Sequence, residues 1–125
     1  MIDCDLRLVY PDLPPRELSP NSRLHWRSKV RPKQQVQDDL IALMIEQGWS
    51  MQPLHNADIH VRFGLPDKRR RDMDNLIASS KAMLDALKGR VIDDDRLTQV
   101  TVDYSWFDSP KEPQTIIEVR GRNND

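Results

Sequence analysis

Cysteine is almost absent from this sequence, in which Cys4 is the only one among 125 residues. A single thiol cannot form a disulfide within the chain or build a cysteine-based zinc site, so we interpret Cys4 as a small hydrophobic residue of an N-terminal strand. The sequence also lacks an apolar run of the roughly 18 residues that a membrane span needs. Its first residues lack the basic flank and apolar stretch of a signal peptide. These absences predict a cytoplasmic protein that does not contact a membrane.

Net charge is low as well, at -1, but the charges are segregated along the chain. Residues 16–33 form a first basic segment, in which six basic residues accompany a single acid, Glu17. The six are Arg16, Arg23, Arg27, Lys29, Arg31 and Lys33. The four residues 68–71 form a second basic segment. Blocks of this kind can create a local positive surface on a nearly neutral molecule, although each could instead be a solvated charged loop.

Hydrophobic periodicity predicts the element order β-α-β-α-β-β. Alternating apolar residues indicate strands at Leu6–Tyr10, Ala57–Leu65 and residues 98–107, and residues 115–119 form the last strand. Helical spacing of apolar residues, each time followed by a glycine, indicates helices at residues 33–47 and 72–88. The predicted inner face of the second helix comprises Met73, Leu76, Ile77, Ser80, Leu84 and Leu87.

Residues 11–32 show no sustained periodicity and are predicted to form a long ordered loop, which in a compact domain is usually functional or disordered. A chain of 125 residues leaves little room for a second core. The predicted fold class is therefore α/β of the α+β type, a single domain over residues 1–125 with one mixed sheet and two helices packed on it.

Two aspartates, Asp72 and Asp74, lie where the second predicted helix begins. One aspartate at a helix start is an ordinary N-cap, but only one of the pair can be the cap, and a second carboxylate nearby adds repulsion unless a cation offsets it. Three further acids, Asp93, Asp94 and Asp95, follow this helix. If the triplet lies near the pair, the carboxylates form an oxygen cage suited to Mg²⁺. A bound metal could then activate water and stabilise charge on a phosphodiester.

These residues carry a family resemblance. The run from Arg69 to Leu76, which contains Asp72-Met73-Asp74-Asn75, is followed by Lys81-Ala82-Met83-Leu84-Asp85-Ala86-Leu87 and then by Val91-Ile92-Asp93-Asp94-Asp95. Upstream, Pro14-Pro15 and Ser19-Pro20-Asn21 precede Arg23-Leu24-His25-Trp26. In this order the motifs resemble the RusA family of Holliday-junction resolvases, found in phages and prophages, and they span most of the chain.

The resemblance implies roles for individual residues. Asp72 and Asp74 match the first two catalytic, metal-binding aspartates, and either Asp94 or Asp95 matches the third. The implied cofactor is Mg²⁺, with Mn²⁺ as a substitute and no small-molecule cofactor. The implied partners are branched DNA, in the form of a four-way junction, and a second subunit of a homodimer. The predicted DNA-binding residues are Lys68, Arg69, Arg70, Arg71, Arg23, Arg27, Lys29 and Arg31.

Lys81 matches a lysine that is important for catalysis in the family. Some members place this lysine four residues after the second aspartate, where Ala78 stands here, whereas Lys81 follows Asp74 by seven. Seven residues return a helix to nearly the same face, two turns along. The alternative role for Lys81 is an i,i+4 surface ion pair with Asp85.

The aromatic residues leave further alternatives. Trp26 could stack on an unpaired base at a junction centre or fill the edge of the core. Trp49 and Trp106 are predicted to be packing or dimer-interface residues. Two other functions compete with a resolvase: a branched-DNA-binding accessory protein without catalysis, and a nuclease for other branched DNA such as flaps.

Overall fold

The computed structural model describes residues 5–19, 26–49, 53–68, 72–92 and 100–122. Within these ranges four strands form one sheet: β1 (Leu6–Tyr10), β2 (Ala57–Leu65), β3 (Val100–Asp108) and β4 (Gln114–Gly121). The helices are α1 (Trp26–Glu46), α2 (Met73–Ser79) and α3 (Lys81–Asp85), and a short 3-10 helix spans Arg16–Leu18. The predicted α+β class and element order are confirmed. No helix in the described ranges combines the length and the apolarity that crossing a membrane requires.

The sheet is mixed, with strand order β1-β4-β2-β3. β4 runs antiparallel to both of its neighbours, and β2 and β3 are parallel. β1, β2 and β3 therefore point in the same direction, and they end at the same edge of the sheet, at Tyr10, Leu65 and Asp108. We call this the carboxyl edge. α2 and α3 belong to the crossover that a parallel β2–β3 pair requires.

The core lies between one face of the sheet and the helices. Alternate strand residues point into it, as the buried-exposed alternation of β1 shows. The fully buried side chains come from both layers and include Leu8, Ile59, Val61, Phe63, Ile117, Val36, Leu40, Met44, Met83 and Leu87. On α1 the inner face comprises Val36, Leu40 and Met44, which are buried, and Leu43, which packs against the core.

α1 is longer than the sequence predicts. It begins at Trp26 and contains Pro32, so the prediction of a loop through Pro32 was wrong. Proline in a helix interior removes one backbone hydrogen bond and crowds the preceding turn, which is why it was interpreted as a boundary. The helix nevertheless continues through Pro32. In the turn before this proline, the ammonium group of Lys29 donates a hydrogen bond to the Ser19 carbonyl oxygen at 3.4 Å. Tertiary packing along the rest of α1 outweighs the local cost.

The second predicted helix is broken at Ser80. The Ser80 hydroxyl donates to the Ile77 carbonyl at 2.6 Å, a type of side-chain bond that bends helices. Ser80 is completely buried, and so is Met83, which the predicted inner face omitted, whereas Leu84 is only partly buried. The prediction of a single helix over residues 72–88 was therefore wrong in two respects. The helix is not continuous, and part of its buried face differs from the predicted one.

Candidate active site

Asp72 caps the N-terminus of α2. Its Oδ1 atom accepts hydrogen bonds from the backbone N–H groups of Asp74 at 2.9 Å and Asn75 at 3.4 Å. These bonds satisfy two of the backbone donors that a helix start leaves unpaired. They also hold the Asp72 carboxylate in one orientation, with Oδ2 left over for another ligand. The N-cap prediction for Asp72 is confirmed, and this role uses one of its two oxygens.

Asp74 lies in the first turn of α2, and its side chain is exposed, as is that of Asp72. No hydrogen bond or ion pair involves the Asp74 carboxylate within the part of the chain that the structure describes. The two aspartates thus present carboxylate oxygens to solvent from adjacent positions on a rigid helix start. Oxygen donors of this type are the ligands that Mg²⁺ and Mn²⁺ prefer.

The predicted third ligand, Asp94 or Asp95, lies outside the described residues, as does Asp93. The described residues on either side are at the edge opposite the carboxyl edge: Ile92 forms a bridge with Leu54, and Val100 pairs with Ala57. Within the described ranges no group of three or more potential metal ligands occurs. The convergence of the acidic triplet with Asp72 and Asp74 therefore stays a prediction.

Lys81 opens α3 and is exposed. The alternative partner considered for it, Asp85, is engaged elsewhere: its carboxylate lies 3.5 Å from the ammonium group of Lys88 and 3.9 Å from that of Lys33. No ion pair between Lys81 and Asp85 is found in the described structure. The break at Ser80 also separates Lys81 from the helix that carries Asp74, so the argument from two turns of one continuous helix does not apply.

Four basic residues lie in the first half of α1. Arg27 and Arg31 are exposed, and Lys29 and Lys33 lie in the same two turns. The first turn of α1 contains no acid, and its last turn contains no base. Basic residues near the N-terminus and none near the C-terminus are the reverse of the distribution that stabilises a helix dipole. The helix dipole therefore does not account for the position of these cations, of which Lys33 pairs with Asp85 and Lys29 donates to the Ser19 carbonyl.

The helices α1 and α2 share a neighbour. Both helices pack against the 3-10 helix Arg16–Leu18, which follows β1 at the carboxyl edge. This short element also carries an exposed arginine, Arg16, which the sequence analysis placed in the first basic segment but not among the DNA-binding residues. The position of Arg16 beside α1 and α2 depends on tertiary packing. The sequence therefore indicated Arg16 only as one charge of the first basic segment.

The other predicted DNA-binding residues are distributed as follows. Lys68 is exposed and follows β2 at the carboxyl edge. Arg23, Arg69, Arg70 and Arg71 lie outside the described residues. The helix that carries Arg27, Lys29 and Arg31 and the helix that begins at Asp72 and Asp74 pack against the same 3-10 helix. The contribution of the second basic segment stays a prediction.

The tryptophans differ in their surroundings. The Trp49 indole N–H donates to the Arg90 carbonyl at 2.8 Å, and the side chain packs against the core, which supports the packing interpretation. Trp106, in contrast, is 62% exposed. The side chain of Trp26 is not described, so its two alternatives stay open.

Two tyrosines flank the site elements. Burial raises the pKa of Tyr104, and a hydrogen bond with Ser80 acts in the opposite direction. Burial also raises the pKa of Tyr10, to which the nearby carboxylates of Asp39 and Asp12 add. Both phenols are therefore neutral at neutral pH, and neither is prepared to act as a base.

Comparison with known proteins assigns the family. The chain has no match among curated proteins. The model of the RusA family, described as endodeoxyribonuclease RusA, matches residues 19–120. This match covers α1, the aspartate pair and all of the sheet except β1 and the last residue of β4. The family implies Holliday-junction resolvase activity, that is, an endonuclease acting on branched DNA. The chain belongs to the RusA endodeoxyribonuclease family.

Proposed function

We propose that this protein is a Mg²⁺-dependent endonuclease that resolves four-way DNA junctions in the cytoplasm, cutting two strands symmetrically as a homodimer. One observation carries the proposal: Asp72 and Asp74 present exposed carboxylates from the start of α2, and α2 packs against the same 3-10 helix as α1, which carries the exposed Arg27 and Arg31. A metal-dependent nuclease needs carboxylates for the cation beside cations for the DNA phosphates.

The aspartates fit a divalent cation. Asp72 Oδ2 and both oxygens of Asp74 are the proposed ligands from α2, and Asp94 or Asp95 is the proposed third residue. The hydrogen bonds from α2 to Asp72 Oδ1 hold this carboxylate in one orientation. When bound, Mg²⁺ would lower the pKa of a water molecule and stabilise charge on the scissile phosphate. Mn²⁺ is expected to substitute, because it accepts similar oxygen ligands.

The protein's own cations have a different role. Arg27, Lys29 and Arg31, together with the second basic segment, are proposed to bind phosphates and so orient the junction relative to Asp72 and Asp74. Such contacts supply affinity and register without reading the DNA sequence. A homodimer would present two such surfaces, which matches the two-fold symmetry of a four-way junction.

The accessory-protein alternative is less consistent with the site. A protein that only binds DNA gains nothing from two exposed carboxylates at one helix start, because they repel phosphate. The flap-nuclease alternative uses the same chemistry, so the site does not distinguish it from a resolvase. A panel of branched substrates separates these two functions.

The decisive experiment measures cleavage of a labelled synthetic four-way junction in Mg²⁺ and in EDTA, beside a linear duplex of matching sequence. We expect symmetric nicks in the junction in Mg²⁺ only, none in the duplex, and retained junction binding in EDTA. Binding without nicks in Mg²⁺ would support the accessory protein instead. Preferential cutting of flaps would support the third function.

Neutralising Arg27 and Arg31 together, as Arg27→Gln/Arg31→Gln, is expected to weaken junction binding and make it less sensitive to salt. Each lost phosphate contact removes close to one unit from the slope of log K against log salt, so the slope should fall by about 2. The matched control is Arg120→Gln, an exposed residue whose side chain lies on the opposite face of the sheet. An unchanged slope in the double variant would show that α1 does not contact phosphate.

Replacing Lys81 by glutamine is expected to slow cleavage by about ten- to a hundredfold with little change in stability. The stability of the fold should not depend on Lys81, because Asp85 is paired with Lys33 and Lys88 instead, and exposed residues without such partners usually contribute less than about 0.5 kcal/mol. Single-turnover cleavage and urea unfolding measure the two effects. Normal cleavage with Lys81→Gln would exclude its catalytic role.

A further inference from the structure

Ser80 connects α2 to α3. Its backbone N–H group donates to the carbonyls of Leu76 and Ile77, at 3.0 and 3.2 Å. Its own carbonyl accepts from the N–H groups of Met83 and Leu84, at 2.9 and 3.2 Å. One residue thus has backbone bonds on both sides of the break, and its side chain is completely buried. Contacts of this side chain therefore bear on how α3 continues from α2.

Tyr104 of β3 forms a hydrogen bond with the Ser80 side chain. Ser80 already donates its single hydroxyl proton to the Ile77 carbonyl at 2.6 Å, so toward Tyr104 its oxygen accepts. The phenol O–H of Tyr104 is then the donor, which agrees with its neutral state at neutral pH. The two bonds form one continuous link from the sheet, through Ser80, to the last turn of α2.

The ring of Tyr104 is held by packing and not by its hydroxyl group. It stacks on Phe63 of β2, with ring centroids 6.3 Å and ring planes 7° apart, and Phe63 is itself completely buried. The sheet therefore presents the phenol oxygen to Ser80 from a fixed position. Replacing Tyr104 by phenylalanine would remove the link and keep the ring.

α3 depends on contacts of this kind. It has only five residues, too few for a helix that is stable by itself. On its other side it is held by α1, because the Gln37 side-chain amide donates to the Ala82 carbonyl at 3.3 Å. The ammonium group of Lys33 also lies 3.9 Å from the Asp85 carboxylate. Lys81, the first residue of α3, therefore belongs to an element that is fixed from both the sheet and α1.

We propose that Tyr104 is a positioning residue, which acts through Ser80 to fix the direction of Lys81 relative to Asp72 and Asp74. The inference rests on the proposed function, in which Lys81 takes part in cleavage, and it adds a residue of the sheet to that site. α2 alone does not orient Lys81, because the helix is broken before it. Small displacements of a reacting group slow catalysis strongly, whereas the contacts that bind DNA phosphates do not involve Tyr104.

Tyr104→Phe tests the link. Its rate of single-turnover junction cleavage in Mg²⁺ should be about tenfold lower, and its affinity for the junction in EDTA should be unchanged. The matched control is Tyr10→Phe, which removes the hydroxyl of a buried tyrosine of β1 and should cut at the wild-type rate. Normal cleavage by Tyr104→Phe, or weaker junction binding, would overturn the proposal.

The Lys81→Gln background separates positioning from a general structural effect. If Tyr104 acts through Lys81, Tyr104→Phe should slow cleavage by less than about twofold once the lysine is absent, because residues that act as a unit are not additive. A general loss of structure would slow both backgrounds by the same factor. Equal slowing in the two backgrounds would therefore overturn the proposal.

Ser80→Ala tests the path. It removes the acceptor of the Tyr104 hydroxyl, so it should slow cleavage at least as much as Tyr104→Phe. The combination of both substitutions should be no slower than Ser80→Ala alone, because each interrupts the same link. Additive slowing would show that the two residues act separately and would overturn the proposed link.

The outcomes also separate this inference from the proposed function. A wild-type protein that does not cut junctions would refute both. Normal cleavage by Lys81→Gln would remove the residue that Tyr104 is inferred to position, and the nuclease would stand without this inference. Slow cleavage by Lys81→Gln beside normal cleavage by Tyr104→Phe would likewise refute the inference alone.

Discussion

Replacing Asp74 by asparagine is expected to abolish junction cleavage, by about a thousandfold or more, while junction binding is retained. The substitution keeps the size of the side chain and removes the charge that a cation requires, and the loss of one group that stabilises developing charge has effects of this order. Cleavage in Mg²⁺ and binding in EDTA measure the two properties separately. Asp38→Asn, which changes an exposed acid of α1 that accepts a bond from Gln34, is the control and should cut normally.

Asp72 allows a finer experiment, because the structure gives it two roles. Asparagine is as good an N-cap as aspartate, so Asp72→Asn should lose cleavage and keep stability. Asp72→Ala removes the cap as well and should lower the free energy of unfolding by about 1 kcal/mol. Full cleavage by Asp72→Asn or by Asp74→Asn would refute the metal-site assignment. Equal stability of Asp72→Asn and Asp72→Ala would refute the capping role.

Met83→Ala is expected to destabilise the fold by about 2 to 5 kcal/mol, the usual cost of removing a large core side chain. Met83 is completely buried in α3, whereas Leu84 beside it is only partly buried. Leu84→Ala should therefore cost clearly less, although leucine and methionine are similar in size. Urea unfolding of the two variants measures the difference.

The comparison also tests the break at Ser80. A straight helix over residues 72–88 with the face expected from periodicity would make Leu84 the more important residue. A larger loss for Leu84→Ala than for Met83→Ala would therefore contradict the structure. A larger loss for Met83→Ala would support it, because α3 buries Met83 completely and Leu84 only in part.

Local patterns in the sequence were sufficient for several elements. β1 and β2 have the predicted bounds, because alternation of apolar residues reports the two faces of a strand directly. The N-cap at Asp72 was also predictable, because it depends only on the residue type and on the helix that follows. The motifs around Asp72 and Asp74 indicated the family that the comparison confirms.

Other features required the tertiary structure. The start of α1 was missed because proline is disfavoured inside a helix, and packing of α1 overrides this local preference at Pro32. The break at Ser80 was missed because the periodic signal of two consecutive short helices resembles that of one continuous helix. The strand order β1-β4-β2-β3 was not predictable, because periodicity contains no information about which strands are neighbours.

The sequence by itself determined the fold class, the family and the identity of the acidic and basic residues, since these depend on local spacing and residue chemistry. Only the tertiary structure decided which of them meet. In it, Asp85 forms ion pairs with Lys33 of α1 and with Lys88, and not with Lys81. It also packed α1 and α2 against one 3-10 helix. The physical reason is that such encounters arise from packing between segments distant in the chain, where no local periodicity acts.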